Sequence, residues 1–84
     1  DEVINTNGII IYQQPVEDVL YIRTTNIVKI ISVYNLSGQQ MIQQKESGDK
    51  KEYSIPVRGL TAGYYIVVLQ SVDGKIYKSK FMKR

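Results

Sequence analysis

Alternating apolar and polar positions are clearest in the C-terminal third of the chain. Two strand-like runs, residues 60–70 and 75–84, flank Asp73-Gly74, a pair that tolerates the backbone angles of a tight hairpin. Both faces of the first run are mostly apolar, with Tyr65, Val67 and Leu69 on one of them, which is typical of a central strand. The pattern therefore predicts a β-hairpin that begins in the sheet interior.

The second run of this hairpin has one apolar face and one basic face. One face carries Tyr77, Ser79 and Phe81, and the other carries Ile76, Lys78, Lys80, Met82 and Arg84. Lysine on an exposed strand discourages pairing with other chains, so the pattern indicates a half-buried strand near a sheet edge.

A glycine turn precedes the hairpin in residues 60–65, which read LTAGYY. A tyrosine at the start of a strand after such a turn predicts a tyrosine corner, in which the phenol of Tyr65 bonds to upstream backbone. The alternative is an aromatic-rich hairpin without a corner. Gly63 is expected to be needed for its backbone angles.

Five further strand-like runs come earlier, at residues 9–12, 19–24, 27–34, 39–44 and 52–57. Turn residues separate the runs and no helical period is evident, so we expect an all-β, immunoglobulin-like β-sandwich of about seven antiparallel strands. Pro56 places the fifth run at an edge or bulge. The predicted core consists of Leu20, Ile22, Ile31, Val33, Ile55, Leu60, Tyr65, Val67, Leu69 and Phe81.

The run at residues 27–34 does not reveal which of its faces is buried. Strict alternation places Lys29 with Ile31 and Val33 on one face, and Val28 with Ile30, Ser32 and Tyr34 on the other. The Asn35–Gly38 segment that follows is predicted to be a hairpin loop.

Composition argues for one small domain without catalytic chemistry. The 84 residues include no Cys and no His, which removes disulfides, thiolate nucleophiles and the commonest general base. Adjacent carboxylates at Glu17 and Asp18 are typical of a solvated turn, and Glu46 and Asp49 lack a regular calcium-ligand spacing. We therefore expect no enzyme activity, no metal and no cofactor.

The basic residues concentrate at the end of the chain. Lys75, Lys78, Lys80, Lys83 and Arg84 lie within the last ten residues, although the net charge is only +3. These lysines either protect an edge strand or mark a recognition strand at a free chain end. Nucleic-acid binding is disfavoured because no stacking platform is evident. No apolar run is long enough to span a bilayer.

Four blocks together resemble the C-terminal sorting domains of the type IX (Por) secretion system of the Bacteroidetes. They are residues 11–22 (IYQQPVEDVLYI), 33–39 (VYNLSGQ), 60–67 (LTAGYYIV) and a terminal hairpin with a basic end at 73–83. The opening block departs from the family's usual tyrosine-proline-asparagine-proline, because Gln13 and Gln14 replace the first proline and the asparagine. The resemblance covers residues 8–84 and leaves 1–7 as a linker from a larger parent protein.

The resemblance implies a folded secretion signal rather than an enzyme. Such a domain carries its parent from the periplasm through the outer-membrane translocon to the cell surface or the medium. Shuttle and sortase proteins are the implied partners, and processing joins many parents to anionic lipopolysaccharide. Other members, which belong to the secretion machinery, keep the domain, and the sequence does not decide between the two cases. If the domain is removed, the cut is expected in the polar segment Asn5, Thr6, Asn7 and Gly8.

We expect recognition to depend on the terminal hairpin, offered to a receptor by β-augmentation. The candidate residues are Gly63, Tyr65, Asp73, Gly74, Lys75, Lys78, Lys80, Phe81, Met82, Lys83 and Arg84. Substitutions at lysines 78, 80 and 83 are expected to leave the fold intact. An unpaired terminal strand also predicts some strand-exchanged homodimer.

Two other functions stay open at this point. One is a structural or adhesive immunoglobulin-like domain. The other is a carbohydrate-binding accessory domain, which would need an exposed aromatic platform from tyrosines such as Tyr12, Tyr21 and Tyr64.

Overall fold

A computed structural model describes residues 9–12, 15–24, 27–47 and 51–84. The described residues contain strands and turns but no helix. The strands are β1 (Ile10–Tyr12), β2 (Val19–Arg23), β3 (Val28–Asn35), β4 (Gln40–Lys45), β5 (Glu52–Pro56), β6 (Gly63–Ser71) and β7 (Ile76–Lys83). Each coincides with a run predicted from the sequence to within one residue at either end, except that β6 begins three residues after the start of its run.

The strands form two antiparallel sheets. A three-stranded sheet has the order β1-β2-β5, and a four-stranded sheet has the order β4-β3-β6-β7. The predicted positions in these sheets are confirmed: β6 is central, β7 lies at an edge, and β5, which contains Pro56, also lies at an edge. The predicted immunoglobulin-like sandwich is therefore confirmed.

The core lies between the two sheets. It contains every residue predicted for it except Leu60. Leu60 is only half-buried and packs against the core from its margin. The prediction omitted five buried hydrophobic residues: Ile9, Val16, Val28, Tyr53 and Val57.

One predicted face of β3 is wrong. The register with β6 shifts between Val28 and Ile30, so the chain has an extra residue there. The bulge places Val28 in the core and leaves Lys29 exposed, whereas strict alternation had assigned Lys29 to the side of Ile31. At this irregular point the Tyr53 hydroxyl accepts a 3.1 Å hydrogen bond from the main-chain N–H of Val28.

The β3–β4 and β6–β7 hairpins share one loop geometry. The N–H of Gly38 bonds to the carbonyl of Asn35, and the N–H of Gly74 bonds to the carbonyl of Ser71, each at 3.0 Å. Both glycines have φ of +90°, which other residues rarely adopt. The predicted loops at both positions are therefore confirmed.

Candidate functional site

A tyrosine corner anchors the start of β6. The hydroxyl of Tyr65 donates a 2.7 Å hydrogen bond to the main-chain oxygen of Thr61, as the sequence predicted. The Tyr65 ring is buried and stacks on Phe81 of β7, with centroids 5.8 Å apart and planes at 25°. Phe81 is also its direct cross-strand partner. The corner therefore joins the turn before β6 to the final strand.

Gly63 lies between Thr61 and Tyr65 and allows the chain to enter β6. Its φ is +151°, which is strained for a residue with a side chain. A Cβ at Gly63 would meet no heavy atom within 4 Å. The requirement for glycine is therefore one of backbone angle, as predicted, and not of space.

The loop of the terminal hairpin is held by Asp73. Its carboxylate accepts hydrogen bonds from the Ser71 hydroxyl and, at 3.2 Å, from the main-chain N–H of Lys75. The Ser71 bond, followed by the Lys75 N–H, lowers the pKa of Asp73 below its ordinary value. Asp73 thus stabilises the loop locally, beside the positive φ of Gly74.

The outward face of β7 is basic, as predicted. Lys78 and Lys80 are exposed, and the Lys80 Nζ lies 4.8 Å from the centre of the Tyr64 ring in a cation–π contact. Ser79 and Phe81 face the core. Phe81 therefore serves the fold, whereas Lys78 and Lys80 are available to a partner.

Lys83 lies at the end of β7 but is buried, so it is not equivalent to the solvated Lys78 and Lys80 with which it was grouped. Its side chain is 7% exposed, because its position has the parity of Ser79 and Phe81 and it points inward at the end of the sheet. The Lys83 Nζ donates a 2.8 Å hydrogen bond to the main-chain oxygen of Arg84. Lys83 therefore belongs to the fold and not to the solvated basic face.

The end of β7 is held by a contact that the sequence pattern does not reveal. The N–H of Val16 donates to the carbonyl of Met82 at 2.8 Å, and the N–H of Arg84 donates to the carbonyl of Val16 at 2.7 Å. These bonds form a parallel bridge between Val16 and Lys83. Next to it, Arg84 and Glu17 form an exposed ion pair at 2.9 Å. The expectation of a wholly unpaired terminal strand is therefore wrong for its last three residues.

This bridge also shows which backbone groups of β7 face outward. Because main-chain groups alternate sides along a strand, the outward carbonyl of Met82 implies that Ile76, Lys78 and Lys80 also point their N–H and C=O groups outward. In the described part of the chain, no main-chain group pairs with these three residues on that side. We call residues 76–80 the open edge of β7.

Tyr21 and Tyr64, two of the three tyrosines considered for a sugar-binding platform, do not lie on a common surface. Tyr21 lies on β2 of the three-stranded sheet and Tyr64 lies on β6 of the four-stranded sheet, both with exposed side chains. They are on opposite outer faces of the sandwich, because the inner positions of both sheets form the core. The Tyr12 side chain lies outside the described residues, as does the whole predicted processing segment Asn5–Gly8.

The paired carboxylates have arginine partners. Asp18 Oδ2 lies 3.4 Å from Arg58 Nη2. The side chains of this ion pair and of the Glu17–Arg84 pair are all largely exposed. Such pairs fasten loops weakly. Across residues 9–12, 15–24, 27–47 and 51–84, no cluster of three or more metal-binding side chains occurs, and no helix is long and apolar enough to cross a membrane.

Comparison with known proteins identifies a family and a fold. Residues 10–84 match the family model described as "Secretion system C-terminal sorting domain". Over 53 residues, 63% of this chain, the sequence is 43% identical to the funoran endo-beta-hydrolase of Wenyingzhuangia aestuarii. The matched region spans only 7% of that relative.

The solved structure of CopC from Methylosinus trichosporium OB3b has a similar fold. The TM-score is 0.52, and the alignment covers 90% of this chain and 91% of CopC. Sequence identity is 18%, so the likeness concerns the β fold alone.

Proposed function

The chain belongs to the family of C-terminal sorting domains of the type IX secretion system, and from this premise we propose that the machinery reads its terminal hairpin. As a sorting signal, the domain directs a parent protein to the cell surface or out of the cell. We further propose that the route crosses the periplasm and the outer-membrane translocon, and that the domain itself performs no catalysis.

The open edge of β7 is the observation that carries this proposal. Within the described ranges, the outward donors and acceptors of Ile76, Lys78 and Lys80 have no main-chain partner, and an extended segment of a receptor can add to such an edge as a further strand. Backbone pairing supplies affinity, and the two lysines favour an acidic receptor and speed the encounter.

The corner and the Val16 bridge keep this edge in a receptive form. Tyr65 packs against Phe81, while Val16 holds Met82 and Arg84 by backbone hydrogen bonds. The strand is thereby fixed at its end, and a receptor strand meets an ordered template. Ordering a flexible segment would otherwise reduce the affinity.

Membership of the family supports a proposal for the remaining steps. We propose that residues 1–7 link the domain to its parent and that residues 8–84 form the signal. A sortase then cuts within Asn5–Gly8 and joins the parent to anionic lipopolysaccharide. Retention of the domain on the exported parent, seen by mass spectrometry, would contradict this processing step.

A proline at position 78 tests the open edge sharply. Because the Lys78 N–H points away from β6, Lys78→Pro removes an outward donor and leaves the β6–β7 ladder intact. Lys78→Gln is the control, since it removes the charge and keeps the backbone donor. The chain is fused to a periplasmic reporter in a cell that has type IX secretion.

We expect Lys78→Pro to fold and to lose surface delivery, and Lys78→Gln to retain most of it. Circular dichroism and thermal unfolding of the purified variants check the fold. If Lys78→Pro reaches the surface as the unchanged chain does, the edge is not the recognised element. Deletion of residues 81–84 is less informative, because it also removes Phe81 from the core.

The open edge also favours pairing between two copies of the chain, as the sequence analysis expected. We propose that concentrated protein forms some homodimer through residues 76–80, and that this dimer is weak because antiparallel pairing of two β7 strands brings their lysines together. Light scattering of concentrated protein that detects monomer alone would contradict this proposal.

A further inference from the structure

The solvent-facing side of the four-stranded sheet has an unusual distribution of side chains. Its two central strands, β3 and β6, present half-buried or exposed apolar residues where a sandwich normally presents polar ones. We call this side the outer sheet face. The apolar residues that β3 and β6 present on it are Ile30, Tyr34, Tyr64, Ile66 and Val68.

The strand register makes these residues contiguous. Tyr34 lies opposite Ile66, and Ser32 lies opposite Val68, across the β3–β6 ladder. Cross-strand neighbours on one face are in contact distance, so the apolar side chains form one patch and not isolated exposures. A shallow depression of about 340 Å³ lies along this patch, beside Tyr34, Ile66 and Val68. Leu36, 62% exposed in the β3–β4 loop, borders it.

Lysines line both margins of the patch. On the β7 side, Lys78 lies opposite Val68 and Lys80 lies opposite Ile66. On the β4 side, Lys45 lies opposite Ile30. The described carboxylates lie elsewhere: Glu17 and Asp18 before β2, Glu46 after β4, Glu52 on β5 of the other sheet, and Asp73 in the hairpin loop. In the described part of the chain, the rim therefore carries two lysines on the β7 side and one lysine, Lys45, on the β4 side, where the other outward residues are Gln40 and Gln43.

We propose that the outer sheet face is a second contact with the secretion machinery, and that its partner is a protein surface with an apolar centre and acidic margins. The identity of this partner rests on the sorting function proposed above. The apolar patch supplies buried area, and the lysines on both sides select negative charge. A second copy of the chain fits poorly, because face-to-face packing would bring rows of lysine against each other.

Two sets of substitutions test the face separately from the open edge of β7. Ile66→Thr/Val68→Thr makes the patch polar while keeping β-branched residues in the strand. Lys45→Glu reverses a rim charge on β4, at the opposite edge of the sheet from β7. Tyr21→Thr, on the outer face of the other sheet, is the control for the first variant. Lys51→Glu is the control for the second variant. Lys51 lies beside β2 of the other sheet, where its main-chain carbonyl accepts a hydrogen bond from the N–H of Thr24.

We expect each test variant to fold and to reduce surface delivery of the reporter several-fold, while both controls are delivered normally. Lys45→Arg should be delivered normally, unlike Lys45→Glu, because it keeps the positive charge. Normal delivery of Ile66→Thr/Val68→Thr and of Lys45→Glu would overturn the inference and leave the sorting function standing.

Two other results are distinct from these. If the unchanged chain fails to deliver the reporter, the sorting function itself fails. If the unchanged chain is dimeric by light scattering and Ile66→Thr/Val68→Thr is monomeric, a second copy covers the face, and the acidic partner proposed here is overturned. Thermal unfolding of each purified variant separates loss of contact from loss of fold.

Discussion

The hydroxyl of Tyr65 donates a 2.7 Å hydrogen bond to the main-chain oxygen of Thr61, four residues upstream. The bond spans the turn at Gly63 and fixes how the chain enters β6. Because the same ring stacks on Phe81, one side chain joins the turn, the central strand and the final strand. The corner therefore stabilises the hairpin that carries the open edge.

Removing the Tyr65 hydroxyl should lower the free energy of unfolding by about 1 kcal/mol, since Tyr65→Phe loses one hydrogen bond. Tyr65→Ala should cost about 3 kcal/mol, because it also leaves a cavity beside Phe81. Chemical denaturation measures both. Tyr64→Phe, at the exposed neighbouring position, is the control and should change little. Equal stabilities for Tyr65→Phe and the unchanged chain would show that the corner bond is not stabilising.

Lys83 and Lys80 should respond differently to the same substitution. Lys83→Gln should destabilise the chain by about 1 kcal/mol, because it disturbs a buried side chain and its bond to the Arg84 carbonyl. Lys80→Gln should be within about 0.5 kcal/mol of neutral, since its head group is solvated. Thermal or denaturant unfolding of the two variants makes the comparison. A neutral Lys83→Gln would contradict the structural role assigned to the Lys83 side chain.

Hydrogen exchange should reveal the bridge between Val16 and the end of β7. The amides of Val16 and Arg84 donate to main-chain carbonyls and should exchange slowly for residues in a loop and at a strand end. The amide of Lys78, on the open edge, should exchange faster than either. Rapid exchange at Val16 and Arg84 in the native state would show that the bridge does not persist in solution.

Asp73 should make the hairpin sensitive to acid. Its folded-state pKa is lower than the ordinary value of 3.8, so the carboxylate contributes stability above that value, and this contribution is lost as pH falls through the folded pKa. Carboxyl NMR should show Asp73 titrating below the ordinary range. Ser71→Ala removes the main cause and should move the pKa upward. An unchanged pKa in Ser71→Ala would assign the shift to another group.

Alternation along the chain was sufficient to predict the seven strands, the central position of β6 and the edge position of β7. It succeeded because a strand that buries one face must place apolar residues at every second position, and Tyr65, Val67 and Leu69 do so. The loop at Asp73-Gly74 and the corner at Tyr65 were also predictable, because both are local interactions over a few residues.

Non-local and irregular features were not predictable in the same way. The bulge beside Val28 changes the parity of β3, and nothing in an alternating run signals an inserted residue. The pairing of Val16 with Lys83 joins distant segments, and one apolar residue in a polar stretch does not name its partner. The outer sheet face became visible only when the register showed Tyr34 opposite Ile66.

The bridge at Val16 has a consequence for the order of events during synthesis. Glu17 and Arg84, which meet beside it, are 67 residues apart in sequence. A ribosome therefore releases the Val16 segment long before its partner strand exists, and the sandwich remains unfinished until residues 82–84 emerge. Contacts between distant segments also form slowly, because a long loop must close before they add stability. The first and last strands of the domain are thus joined late, and co-translational folding of this sandwich has to wait for β7.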